Sequence, residues 1–184
     1  YGAFVAPKHG MQSIIKALTN QLQPATLELG QRVTQLEFQN EACQLTIEDE
    51  TQGAAIRQFD RLLLTTSSQI TSRLLHDNYP ELSNLIADIP LASAAVVTMG
   101  YRFCDIDHPL DAFGVVVPQA ENRPLIAISM ASQKFVGRAP QDSVLFRIFA
   151  GGALQPDLMQ WDDEQLVESA QQQLRELLGV NGKP

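Results

Sequence analysis

The chain has 184 residues, 45% of them hydrophobic, and carries 21 acidic side chains against 13 basic ones for a net charge of -8. That length and composition support a substantial core and argue against a disordered segment. The acidic balance argues against a nucleic-acid binder, because phosphate attraction needs a basic face; no apolar run reaches the roughly 18 residues of a membrane-spanning helix.

In chain order, Gly10 opens a helix in which Met11, Ile14, Ile15, Leu18 and Leu22 share one face, and Pro24 stops it. A short strand is expected at residues 26–29. The next runs over residues 33–38, where Thr34, Leu36 and Phe38 alternate with polar neighbours. Gln39-Asn40-Glu41 reads as a hairpin loop, and Cys43, Leu45 and Ile47 alternate on the return strand. A turn at residues 48–53 leads to a strand around Ile56 and then to Leu62-Leu63-Leu64, a run that reads as a strand buried on both faces. The cluster from Thr65 to Ser68 caps a helix holding Ile70, Leu74 and Leu75, and a second helix carries Leu82, Leu85, Ile86 and Ile89.

After Pro90 the texture changes. Residues 94–101, 113–117, 125–130 and 144–149 read as four longer strands separated by polar loops rich in Pro, Gly and Asp. A last helix starts after Asp162-Asp163, carries Leu166, Val167, Ala170, Leu174, Leu177 and Leu178, and ends at Gly179. The fold class is α+β, with mixed or antiparallel sheets and flanking helices. A boundary is expected near residue 90, giving parts 1–90 and 91–184.

No complete active site is visible. Gly151-Gly152 lacks the GxGxxG spacing of a phosphate loop. His9, His76 and His108 share no motif, so no metal site is expected, and Cys43 and Cys104 form neither a metal spacing nor a disulfide framework. Cys104 reads as structural. Ser67 and Ser68 precede a helix without a GxSxG elbow, which reads as capping. The segment Phe113-Gly114-Val115-Val116-Val117-Pro118 leaves two readings open. It suits a core strand with a bulge, or one wall of a flat apolar pocket in which Gly114 admits a planar ligand and Phe113 stacks on it.

Several segments together resemble the protoporphyrinogen and coproporphyrinogen oxidases of the flavin-containing amine-oxidase superfamily. They are residues 4–18 (FVAPKHGMQSIIKAL), 29–36 (LGQRVTQL), 59–66 (FDRLLLTT), 95–101 (AVVTMGY), 113–118 (FGVVVP), 125–130, 135–140 (FVGRAP) and 146–152 (FRIFAGG). The resemblance runs over essentially the whole chain. The family's N-terminal GxGxxG turn and its C-terminal closing segment do not occur in these residues, so the chain is expected to be an internal piece, inactive alone and retaining no FAD. The start YGAFVAPKHG does not read as a secretory signal.

The resemblance implies a flavoenzyme that oxidises a porphyrinogen, with FAD as cofactor, molecular oxygen as acceptor and no catalytic side chain in this piece. Residues 1–90 would belong to the FAD-binding domain and residues 91–184 to the substrate-binding domain. Phe113, Gly114 and Val116 would touch the macrocycle, Phe149 would stand on the other wall, and Val33 would touch the adenine side of the flavin. Val116 stands where some members carry leucine, which implies a looser clamp. The arginine that commonly pairs with a propionate lies in an earlier segment. Other implied readings are a desaturase or amine oxidase of the same superfamily, and a non-catalytic tetrapyrrole-binding module. A cytoplasmic location is expected, with the whole enzyme peripheral at a membrane. A homodimer through an unpaired sheet edge is also expected.

Overall fold

The computed structural model describes residues 5–22, 27–39, 42–49, 51 and 53–184. Pro24, Thr26, Asn40 and Glu41 lie outside them, so the expected helix stop, the first residue of the expected strand at 26–29 and the hairpin tip do too. The architecture is α+β, and the chain divides into two compact units: Gln12–Pro90, and Leu91–Pro184 with the segment ending at Met11.

In the first unit, α1 (Gln12–Gln21) precedes an antiparallel sheet of β1 (Gln31–Gln39), β2 (Ala42–Asp49) and β3 (Gly53–Phe59), in the order β1-β2-β3. Two helices follow, α2 (Ser68–Leu75) and α3 (Pro80–Ala87). The alternation of β2 is realised as read, with Cys43, Leu45 and Ile47 buried. Strand β1 departs from simple alternation. Val33 pairs with Ile47 and Gln35 with Thr46, so a bulge leaves Thr34 without a ladder partner. The bulge shifts the phase and lets Val33 and Leu36 share the core with Leu45, Ile47 and Leu75. Phe38 meets Tyr79 edge-on at 5.7 Å instead of entering that core. Ser67 caps α2, its hydroxyl accepting from the Ile70 N–H at 3.4 Å, and Ser83 of α3 donates to the Ser72 carbonyl at 2.9 Å.

Two expectations are corrected here. Leu62-Leu63-Leu64 joins no ladder. Leu62 and Leu64 pack on the core while Leu63 is 85% exposed, so the run covers one face, not two, because no packed layer among the described residues covers the side on which Leu63 stands. Residues 27–29 form no strand, and Leu27 and Leu29 are exposed. Helix α1 forms where it was expected, over Gln12–Gln21, and its apolar Ile14, Ile15 and Leu18 are exposed.

The second unit is built on an antiparallel four-stranded sheet of β4 (Ala94–Arg102), β5 (Gly114–Val116), β6 (Ala127–Met130) and β7 (Ser143–Gly151), in the order β4-β7-β6-β5. Strands β5 and β6 are shorter than the apolar runs at 113–117 and 125–130 that contain them. A short helix α4 (Ala131–Lys134) follows β6, and α5 (Asp163–Leu178) is the last helix. One face of the sheet is the core. Met99, Tyr101, Ile128, Met130, Val144, Phe146 and Ile148 are buried there with Ala170, Leu174 and Leu178 of α5. Each large side chain fully removed from water contributes about 1.5–3 kcal/mol, so this cluster dominates the stability of the unit. Helix α5 starts with a capping box, Asp162 accepting from the Gln165 N–H at 2.8 Å and Gln165 accepting from the Asp162 N–H at 3.0 Å. It ends at Gly179, which is left-handed with φ 61°.

Candidate functional site

Side chains alternate across a strand, so a sheet whose odd or even positions make the core must present the others on its far face. In the four-stranded sheet the register fixes that far face row by row. Val96, Phe149, Ala127 and Val116 stand across from one another in one row. Thr98, Arg147, Ser129 and Gly114 form the next. Three residues singled out in the sequence, Gly114, Val116 and Phe149, therefore lie on one face, so Phe149 shares a wall with Gly114 and Val116 and does not stand on the opposite one that the resemblance implied. They come from two strands, β5 and β7, that are joined only through β6.

Val116 is 79% exposed and Val96 44% exposed, while Phe149 is half-buried. The guanidinium of Arg147 lies over the Phe149 ring, 5.4 Å from its centroid. Gly114 has a steric reason of its own. A Cβ built there would stand 2.3 Å from the Ile128 carbonyl oxygen, so the glycine is required by the approach of β6, whatever else lies near it. Phe113 precedes β5 and is 49% exposed; its carbonyl accepts from the Met130 N–H at 3.0 Å, and the strand register places it in neither row. Gly151, with φ 89°, ends β7, and the Gly152 N–H donates to the Ser93 carbonyl at 2.7 Å, so this glycine pair serves a turn.

The cations divide by partner. Arg123 donates to Glu176 at 2.7 Å and to Gln173 at 2.8 Å. Hydrogen bonds from Gln172 and then from Arg123 hold the Glu176 carboxyl below its ordinary pKa. Burial pushes the Tyr101 phenol up on the core side. Arg102, Arg138 and Lys183 line a separate cavity of about 330 Å³. Cys104 is exposed, with its thiol 3.7 Å from an Asp105 carboxylate oxygen. No sequence motif marks Arg147. Its two-residue spacing from Phe149 on one strand is the signal that puts both on one face.

Val33 belongs to the first unit. It lines a cavity of about 450 Å³ with Arg32, Thr34, Ile70, Arg73 and Leu74. The lining joins apolar Val33, Ile70 and Leu74 to the cationic residues Arg32 and Arg73, the latter donating through Nε to the Gln69 carbonyl at 3.4 Å, a mixture of the kinds a dinucleotide's apolar rings and charged pyrophosphate call for.

A family model for flavin-containing amine oxidoreductases matches residues 2–184. The chain belongs to that family. It is 29% identical to a coproporphyrinogen III oxidase of Propionibacterium freudenreichii subsp. freudenreichii, across 95% of this chain and 32% of that protein. It is 26% identical to the mitochondrial protoporphyrinogen oxidase of Nicotiana tabacum, across 95% of this chain and 37% of the relative. A crystal structure of a candidate protoporphyrinogen oxidase from Exiguobacterium sp. 255-15 superposes with a TM-score of 0.77 at 25% identity, covering 95% of this chain and 37% of that one. The chain thus spans about a third of the length of these relatives.

Proposed function

We propose that these residues form part of a FAD-dependent oxidase that converts a porphyrinogen, protoporphyrinogen IX or coproporphyrinogen III, to the porphyrin with molecular oxygen as acceptor. The observation that carries this reading is the open face of the four-stranded sheet, where Val96, Phe149, Ala127 and Val116 make an uncharged row beside Thr98, Ser129 and Gly114. A porphyrinogen is a large, mostly apolar macrocycle, and such a ligand needs a broad apolar wall with a few polar anchors. The names of the relatives support the same substrate class.

On this reading residues 1–90 belong to the flavin domain and residues 91–184 to the substrate domain. Val33 would contribute to holding the flavin, which when bound supplies the hydride-accepting chemistry. The open face would bind and orient the macrocycle and exclude water from it. The 184 residues alone would neither turn over substrate nor retain FAD. A cytoplasmic location, peripheral at a membrane, belongs to the same proposal.

The test uses the protein encoded by the complete reading frame around these residues, loaded with FAD. Porphyrin fluorescence should grow when coproporphyrinogen III or protoporphyrinogen IX is supplied with oxygen. Val116→Asp puts a carboxylate on the exposed row and should raise KM about tenfold or more. Wild-type protein that holds flavin yet oxidises neither porphyrinogen would overturn the proposal.

A further inference from the structure

Arg147 is the one cation in two rows otherwise made of apolar, hydroxyl and glycine positions. Its ladder neighbours are Thr98 and Ser129, and Gly114 completes the row. Its guanidinium makes no ion pair or side-chain hydrogen bond among the described residues. Arg123, by contrast, is committed to Glu176. What holds the Arg147 side chain is the Phe149 ring beneath it, at 5.4 Å. That contact, a weak one at an exposed site, favours a guanidinium beside the apolar row, and its planar set of donors meets no side-chain acceptor among the described residues.

Two residues along a strand are about 7 Å apart, so the Arg147 row borders the Val96-Phe149-Ala127-Val116 row directly. A macrocycle resting on the apolar row, puckered at its methylene bridges as a porphyrinogen is, would bring an acidic substituent at its edge to the guanidinium. Protoporphyrinogen IX and coproporphyrinogen III both carry propionate arms. We propose that Arg147 binds one carboxylate arm of the porphyrinogen through a bidentate contact and so sets the orientation of the macrocycle on the open face. This rests on the porphyrinogen reading and adds to it the residue that reads the charged edge.

The experiment compares wild type, Arg147→Gln and Arg147→Lys in the complete flavin-loaded protein. Arg147→Gln should raise KM for coproporphyrinogen III about 10- to 100-fold with a smaller change in kcat, as expected for losing a charge-assisted hydrogen bond. Arg147→Lys should recover part of the loss, since it keeps the charge without the fork. In equilibrium binding, wild type should prefer coproporphyrin III over its tetramethyl ester, and Arg147→Gln should lose that preference. Thermal unfolding checks that both variants remain folded. If wild type oxidises porphyrinogen and Arg147→Gln keeps both KM and the acid-over-ester preference, the Arg147 assignment falls and the site reading stands. If wild type neither oxidises a porphyrinogen nor binds coproporphyrin, the site reading fails and Arg147 falls with it.

Discussion

The two units of the chain differ in how far their own residues cover their apolar side chains. In the second, α5 lies on one face of the four-stranded sheet, and Val144, Phe146, Met130 and Leu174 are wholly buried between them. In the first, the buried cluster is Leu36, Leu45, Ile47 and Leu75, while Ile14, Ile15 and Leu18 of α1, Leu63 and Leu85 stand exposed. An amphipathic period says that an element has an apolar side. It does not say that anything in the same chain covers it.

The sharpest way to break this contrast is a cavity in each core. Phe146→Ala should cost about 3–5 kcal/mol and Leu36→Ala about 2–5 kcal/mol. Hydrogen exchange should show each loss confined to its own unit: β4, β6 and β7 for Phe146→Ala, β1 and β2 for Leu36→Ala. Loss of protection in both units from either substitution would show that the chain unfolds as one body. A smaller effect is expected at the end of α5. Gly179 is left-handed, and a Cβ there would meet the Asp107 Cβ at 2.7 Å. Gly179→Ala should destabilise the second unit by about 1–2 kcal/mol in a denaturant titration; an unchanged midpoint would mean that the cap tolerates a side chain. The smallest effect belongs to α1. Leu18→Glu should alter stability by less than about 0.5 kcal/mol, yet reduce ANS fluorescence and any light-scattering signal of association. A wild-type chain that is monomeric and binds no ANS would sink the exposed-face reading.

Much of the fold is legible in the sequence because it follows from local rules. The burial of Cys43, Leu45 and Ile47 on β2 is period-two alternation, and the Asp162 and Gly179 ends of α5 are capping chemistry. The bulge at Thr34 is not legible, since it depends on which β2 residue each β1 residue faces. Nor is the fate of Leu62-Leu63-Leu64, where an apolar run looks the same whether one face or both are covered. The candidate site divides in the same way. Gly114, Val116 and Phe149 stand out along the chain, but their meeting on one face needs the β5-β6-β7 register. Arg147 does not stand out, because a lone arginine inside a strand has no motif and its meaning comes from its cross-strand neighbours.

The close approach of β6 to Gly114 bears on how a saturation mutagenesis map of this protein would read. A single-nucleotide change in a glycine codon that alters the residue introduces a side chain, and here its first carbon would fall 2.3 Å from the Ile128 carbonyl oxygen. Position 114 should therefore score as intolerant in any survival screen, with a profile resembling that of a residue that touches substrate. Val116, two residues on and 79% exposed, should tolerate many replacements in a folding screen and fewer in an activity screen. Only the difference between the two screens separates a steric requirement of the sheet from a requirement of the ligand.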